Sequence, residues 1–586
     1  MPLQAMDLDR LFDVIIAGAG PAGCVLAARL SEESSKQVLL IEAGPDAVVP
    51  GLEDPDLLDP FAPVASNKSA FHWPGLAAET GTDRGDGAGR AVQPFLQGFG
   101  VGGASNINGM GVDRGQPGDY EEWRHLGVDG WSWADVLPYF KKVERDLDFS
   151  GLTPAMHGES GPIPVRRLPK SQWAPFAAAM ADALERRGFS YIADYTADFR
   201  EGFGSAPTNS LPNRRVSAAM GYLTEEVRRR PNLTVLAGTR VDRVSLVNAC
   251  ATGVWVERAG VRTQLRGRQI IAACGAIQSP LLLMRSGIGP RAQLASHDLA
   301  LVRDAPGVGA NLHNHPYIML ATYLPKIALQ APDSPSFLQN WLRYSSKHPD
   351  CIELDMHLMT FNRCDWHALG DRVGAVVVSA LKSYSCGSVE LAGPDPEASP
   401  KIRFNLLADQ RDMERLVQGL RFALELLIDP SVARMHRELF VADEVLVSSL
   451  SRRSVLNRLR AGAIAAILDR GWARRRFLAD WCIDAERLLS DERARREFVL
   501  KNARLQYHVC GTCRMGRAED LGAVVDSEGR VHGVGALRVV DASIFPSLPR
   551  GYTHFIVLMA AEKIADVIRC EWQREIKAKV PLAGAA

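Results

Sequence analysis

Asp13-Val-Ile-Ile-Ala17-Gly18-Ala-Gly20-Pro-Ala-Gly23 is the stretch that decides the fold. Val14–Ala17 is short and apolar, so it reads as a buried strand. The glycines follow at once in GxGxxG spacing, and Cys24–Leu30 is small and apolar at helical spacing. A second strand-like run, Val38-Leu-Leu-Ile41, ends at Glu42, 24 residues after the first glycine. Strand, turn, helix, strand and acid in this order form a βαβ unit suited to a dinucleotide. Gly18 permits the tight turn, Gly20 lets a pyrophosphate approach the backbone, and Gly23 lets the helix pack on the strand. The helix N-terminus then offers free N–H groups and a positive dipole end to the phosphates. Glu42 can accept both hydroxyls of an adenosine ribose, and its charge repels a 2′-phosphate. The unit alone leaves FAD and NAD open.

Around this unit lies a long chain. Its 586 residues exceed one ordinary core, so two domains or more are expected. Lys plus Arg is 68 and Asp plus Glu is 68, so no global field attracts nucleic acid. The N-terminus has no basic stretch ahead of an apolar core, which argues against a signal peptide. No apolar run reaches the roughly 18 residues of a membrane span. The ten cysteines are scattered without a secretory signal, so reduced thiols in a cytoplasmic protein are expected. The tail Lys577–Ala586 reads as frayed.

Three further segments narrow the reading. The first is Gly98-Phe-Gly-Val-Gly102-Gly103-Ala-Ser105-Asn106-Ile-Asn108-Gly-Met110, continuing to Arg114-Gly-Gln-Pro-Gly-Asp-Tyr120 and Trp131-Ser-Trp. The second is Gly275-Ala-Ile-Gln-Ser279-Pro280, with Ser286-Gly-Ile-Gly289 and Asn311-Leu-His-Asn-His315-Pro316. The third is His508-Val-Cys-Gly-Thr-Cys-Arg-Met-Gly516, with Val539-Val-Asp541-Ala542-Ser543 and Gly551-Tyr-Thr-His554. In this order they resemble the signatures of the glucose–methanol–choline (GMC) oxidoreductases, over nearly the whole chain from Asp13 to Ile568.

The resemblance implies an α/β protein. An interrupted Rossmann-type FAD-binding domain would comprise residues 8–160, 205–320 and 500–575. A substrate-binding domain with a mixed or antiparallel sheet and helices would comprise 161–204 and 321–499. Gly102, Gly103, Ser105, Asn106 and Asn108 would lie along the isoalloxazine, with Ser105 and Asn108 bonding its polar atoms. Val241 matches a position whose backbone meets the adenine, and Asp541 and Ala542 would approach the pyrophosphate and ribityl chain. Some relatives attach FAD through a histidine in the glycine-rich loop. Ile107 stands there, so non-covalent FAD is expected.

Alcohol oxidation needs a base for the hydroxyl proton and an acceptor for the hydride. Histidine suits the first task because its pKa lies near operating pH, and a flavin suits the second. His508 matches the family's catalytic histidine and reads as the base; His554 reads as its partner at the alcohol oxygen. Tyr552 replaces a common Asn, and Cys510 forms a CxxC with Cys513. No second CxxC or matching His cluster supports zinc, so apolar packing is the reading for both cysteines and no metal is expected.

On the substrate side, Cys351-Ile-Glu353-Leu-Asp355-Met-His357-Leu-Met359 alternates polar and apolar residues, as a half-buried strand does. Glu353, Asp355 and His357, with Tyr317, Tyr507 and Tyr552, are the candidate substrate contacts. Choline-using relatives carry a glutamate where Tyr317 stands, which argues against a quaternary ammonium substrate. A segment of about 438–497 is long and rich in arginine between Arg452 and Arg476, with Trp472 and Trp481 nearby. Such a basic amphipathic excursion caps the substrate entrance, meets another subunit, or lets residues 452–481 lie on the inner face of a membrane near a quinone.

The expected activity is FAD-dependent oxidation of a small-molecule alcohol, passing electrons to oxygen, a quinone or another carrier. The alternatives are a lyase of hydroxynitrile type, a light-driven fatty-acid decarboxylase, and a flavin-binding protein without catalysis.

Overall fold

The computed structural model describes residues 10–579 apart from 82–91, 150, 332–333, 335, 337 and 443. The tail beyond Lys579 lies outside the described residues; before it, one helix runs from Thr553 to Lys579.

The opening unit forms as its sequence dictates. Strand β1 is Leu11–Ala17, helix α1 is Pro21–Leu30 and strand β2 is Val38–Ile41. Val14 pairs with Val38 and Ala17 with Ile41, in parallel. The apolar residues of Phe12–Ala17 and of β2 are buried from either side, which is why their sequences do not alternate. A Cβ on Gly23 would sit 1.9 Å from the Gly18 carbonyl oxygen, so this helix reaches its strand only because Gly23 has none.

Seven strands make the first sheet. Leu233–Leu236, β2, β1 and Val261–Ala272 are parallel neighbours, and Leu537–Val539 adds in parallel to the last of these. Arg240–Val247 and Cys250–Arg258 extend it as an antiparallel meander. Segments far apart in the chain meet here, because helix Thr553–Lys579 packs on α1. Arg29 of α1 pairs with the buried Glu562 at 2.8 Å, and the Tyr222 hydroxyl donates to the same carboxylate.

The second sheet is antiparallel, in the order Leu439–Phe440, Pro316–Tyr323, Val373–Ala380, Met356–Phe361, Asn340–Tyr344, Gly202–Ser205. Arg504–Leu505 also pairs with Tyr317 and Pro316. The strands Gly202–Ser205 and Arg504–Leu505 therefore tie the second sheet to chain segments that the sequence reading divides at 204/205 and 499/500. Side chains alternate across a strand. Ile318, Leu320, Val376, Val378 and Leu358 point one way, into a core shared with Phe176, Leu416, Leu420 and Leu424 from two helices. Each such side chain contributes about 1.5–3 kcal/mol by burial. Residues of the opposite parity face the other way and form one wall of the cavity described next.

Candidate active site

A continuous cavity of about 770 Å³ lies between the two sheets. One end is walled by Gly18, Gly20, Glu42, Val241 and the backbone around Asp541 and Ala542. The other contains His508, His554, Tyr552, Tyr507 and Tyr317. Between them run Gly103, Ile107 and Asn108.

This space suits a long anionic dinucleotide. Three helices, starting at Pro21, Gly275 and Thr553, bring their N-terminal residues to its wall. Their positive dipole ends favour negative charge there. Gly20 faces open space, since a Cβ on it would approach nothing nearer than 3.9 Å. The buried Glu42 accepts backbone N–H groups from Ala19, Gly44 and Gly100, which aims its carboxylate at the cavity. Asp541 accepts from the Gly275 N–H at 2.8 Å and from the Ser279 hydroxyl at 2.5 Å, tying the second helix start to the cavity wall. Asn108 Oδ1 accepts from Arg215 Nη1 at 2.9 Å, so the glycine-rich loop is held by a fully buried guanidinium. Burial holds Arg215 down to about 9. The sequence reading had not singled out Arg215.

The histidines are arranged more specifically than the motif predicts. His315 Nε2 is 3.0 Å from the Pro549 carbonyl oxygen, which can only accept. Neutral His315 therefore carries its proton on Nε2 and leaves Nδ1 as an acceptor. His508 Nδ1 lies 2.9 Å from that acceptor and must donate to it. The proton of His508 is thus on Nδ1, and its Nε2 is left with a lone pair. Asn314 Oδ1 accepts from the His508 backbone N–H at 3.0 Å and fixes the residue's position. Burial, and then the repulsion it would meet from a protonated His315 or His357, holds His508 well below the usual histidine range. Burial also holds His315 down to about 4. His554 is held to about 4 by burial and then by Arg215, and neither of its ring nitrogens has a hydrogen-bond partner among the described residues. The Tyr552 ring lies 4.5 Å from the His508 ring, centroid to centroid, and its hydroxyl donates to Met359 Sδ at 2.8 Å. Tyr552 thus braces the imidazole from the substrate side.

Several expected contacts are corrected. The Ser105 hydroxyl donates to the Gly102 carbonyl at 2.6 Å and accepts from the Ala218 N–H, so it closes the loop and is not presented to a ring. Asn106 donates to the Val101 carbonyl at 2.8 Å and does not line the cavity. Gly102 is needed for its φ of +102° and its contact with Asn106, and it too stays behind the wall. Gly23 serves packing, as expected. On the substrate side the strand begins only at Met356. Glu353 is exposed. Asp355 forms a fully buried pair with Arg415 at 3.1 Å, and Arg415 also holds Asp412. His357 lies on the cavity-facing side of its strand but is covered by Trp341 and Tyr552. The half-buried strand read over Cys351–Met359 is thus corrected: only Met356–Phe361 is strand, all six of its residues are buried, and Asp355 and His357 are taken up by charge pairing and packing.

The wall above the histidines is apolar. Met319, Ala321, Met359, Phe361, Ala375 and Val377 all line it, from one face of the second sheet. The excursion closes the chamber: Leu450, Leu468, Phe477, Leu478 and Trp481 face inward. Part of its arginine content holds it down. Arg474 is buried against Glu438 and the Leu468 carbonyl. Arg453 pairs with Asp56 and Asp59. Cys510 and Cys513 are fully buried and unpaired, and burial pushes Cys510 up to about 12. Their CxxC is packing. No helix among the described residues is long and apolar enough to cross a membrane.

A dinucleotide cradle that opens onto an oriented histidine is the layout of a flavin-dependent oxidoreductase. Comparison with known proteins agrees. Family models described as GMC oxidoreductase match residues 12–317 and 383–561, and the chain belongs to that family. It is 38% identical over 569 residues to a 5-(hydroxymethyl)furfural oxidase of Methylovorus sp. (strain MP688), covering 96% of this chain and 99% of the relative. It is 32% identical to an oxygen-dependent choline dehydrogenase of Ectopseudomonas mendocina (strain ymp), covering 95% and 94%. Among solved structures, pyridoxine 4-oxidase from Mesorbium loti superposes with a TM-score of 0.78 at 26% identity, covering 95% of this chain and 99% of that one. The protein is an FAD-dependent oxidoreductase acting on the CH–OH group of small-molecule donors.

Proposed function

We propose that this enzyme oxidises an apolar primary alcohol, of benzylic, allylic or aliphatic type, with His508 Nε2 as the base. The observation that carries the reading is the His315–His508 contact, which leaves that nitrogen unprotonated above the cavity. FAD, when bound, supplies the ring that accepts hydride. His508 Nε2 takes the hydroxyl proton as the carbon gives up hydride. His554, uncharged and with neither ring nitrogen hydrogen-bonded among the described residues, orients the alcohol oxygen. Gly18, Gly20 and the backbone at Asp541 and Ala542 hold the diphosphate; Glu42 holds the ribose, Val241 the adenine, and Gly103 with Asn108 the flavin. Ile107 at the cavity wall offers no nucleophile, which supports a cofactor held without a covalent bond to this loop.

The apolar chamber and Tyr317 favour a neutral donor over a quaternary ammonium. The test is anaerobic mixing with a panel of alcohols, choline included. Bleaching of the flavin absorbance by apolar alcohols is expected, followed by recovery on adding oxygen, a quinone analogue or a dye. Cleavage of a cyanohydrin without bleaching would instead favour the lyase.

A second reading concerns the excursion. Val455, Leu459 and Trp472 are 76%, 66% and 70% exposed, among the exposed Arg452, Arg460, Arg475 and Arg476. We propose that this face rests on an anionic membrane surface, with the protein on the cytoplasmic side. Co-sedimentation with vesicles rich in anionic lipid, lost at high salt, is the expected result. Equal recovery with and without vesicles would contradict it.

A further inference from the structure

Arg215 is a buried cation without a counter-ion. It ends the short strand Arg214–Arg215, which pairs with Ser210–Leu211, and its side chain is fully buried. Nη1 donates to Asn108 Oδ1 at 2.9 Å and to the Ser105 carbonyl oxygen at 3.4 Å. Nε and Nη2 are buried with no hydrogen-bond partner among the described residues. Every partner of the guanidinium is thus a neutral oxygen. The carboxylate whose charge it feels, Asp59, is paired with Arg453 at 3.2 Å.

A charge taken out of water is costly, and a buried cation is normally paired. The imbalance here is removed if the matching negative charge arrives during the reaction. Asn108 lines the cavity and stands one hydrogen bond from the guanidinium. The charge reaches the cavity, because after burial it is Arg215 that lowers His554. The cations that line the cavity directly, Arg240 and Arg285, stand at its other end: Arg240 adjoins Val241, and Arg285 Nε donates to the Asp242 carbonyl. When an alcohol carbon gives hydride to a neutral flavin, the hydroxyl proton goes to the base. The ring then keeps two electrons and one hydrogen, and so gains one negative charge.

We propose that Arg215 is the fixed positive charge that stabilises the reduced, anionic flavin, acting through the cavity wall by its field and not by contact. This role rests on reading Gly103 and Asn108 as the flavin's wall. A charge buried away from water is weakly screened, so its field persists across a wall one residue thick. Arg215 is a positioning residue in this sense: it sets how readily the ring accepts hydride and touches neither substrate nor ring.

The FAD-loaded full chain tests this without a known substrate. Sulfite is the probe: its sulfur lone pair forms a bond to flavin N5, the absorbance bleaches, and the ring gains the same single negative charge. Arg215→Gln keeps a donor for Asn108 and drops the charge, whereas Arg215→Lys keeps both. Sulfite affinity should fall by about tenfold or more in the Gln variant, the effect of a unit charge roughly 10 Å away at an effective dielectric of about 20. The flavin midpoint potential should fall with it, and the Lys variant should stay within a few-fold of wild type. Wild-type affinity and potential in the Gln variant would overturn the proposal, as would an equal loss in Gln and Lys. If the Gln variant does not retain FAD, the wild type decides. Its photoreduced flavin should stay anionic well below the pH at which free reduced FAD takes up its N1 proton; protonation at the same pH as free FAD would overturn the proposal. Asn108→Asp sets a negative charge on the wall itself and should weaken sulfite binding whatever Arg215 does. Unchanged affinity in that variant would overturn the placement of the flavin, a separate and recognisable outcome.

Discussion

His315 Nδ1 and His508 Nδ1 lie 2.9 Å apart, and the Pro549 carbonyl on the far side of His315 decides which of them carries the proton between them. The arrangement does for His508 what a carboxylate does for the histidine of a hydrolase triad: it selects the tautomer. Unlike a carboxylate, a neutral imidazole does not raise the base's pKa. Replacing His315 by Phe keeps bulk and removes the acceptor. Anaerobic flavin reduction should then slow by about tenfold or more with flavin content unchanged. Reduction at the wild-type rate would show that His508 finds its orientation without His315.

The same burial sets the pH response. His315 and His554 are held at about 4, and His508 lies well below its ordinary value. Protonation removes the lone pair that the chemistry uses, so activity is lost on the acid side. The three rings titrate as a coupled set. The flavin reduction rate should be level through neutral pH and fall only as pH drops toward that range. A midpoint near the ordinary histidine value would mean that the rings are less shielded than their burial implies.

Gly20 separates cofactor binding from folding. A Cβ there meets nothing nearer than 3.9 Å in the protein, so Gly20→Val should fold with near-normal melting behaviour once its lower apo stability is allowed for. The added side chain would occupy the approach of the diphosphate, so the purified variant should be colourless. A fully yellow variant would refute the phosphate turn.

His157 offers a stability test outside the site. It is buried against Glu144, Asp146 and Asp194, with Arg114 and Arg167 completing the cluster. Burial opposes its charge, but the carboxylates prevail and raise it from 6.5 to about 10. Stability from that charge is fully present below the unfolded value and is lost as pH rises through the folded one. The melting temperature should therefore decline from neutral pH to about 10 more steeply in wild type than in His157→Gln. Parallel declines would show that His157 is not charged in the folded protein.

What the sequence made legible follows from what is local. The phosphate turn, α1 and Glu42 are set by short-range sterics and burial, and they stand where the spacing puts them. His508 and His554 come from motif positions that the fold brings to one cavity. The partnerships of polar side chains were not legible, because they are tertiary. Ser105 sits in the right loop but spends its hydroxyl on Gly102 and Ala218. Asp355 sits beside the right strand but is bound by Arg415, sixty positions along the chain. His315 was in view next to Pro316, yet its role depends on Pro549, which no pattern links to it. For the arginine-rich excursion the sequence left open a cap on the substrate entrance, a subunit contact and a membrane face, because the pairing of Arg474 with Glu438 and of Arg453 with Asp56 and Asp59 is tertiary.

The assignment of His508 as base is tested most directly by His508→Ala in anaerobic stopped-flow with a saturating apolar alcohol, following the flavin absorbance. The variant should bind FAD as the wild type does and be reduced at least about a hundredfold more slowly. Reduction within a few-fold of wild type, with flavin fully bound, would contradict the assignment and leave the His315–His508 contact a structural one.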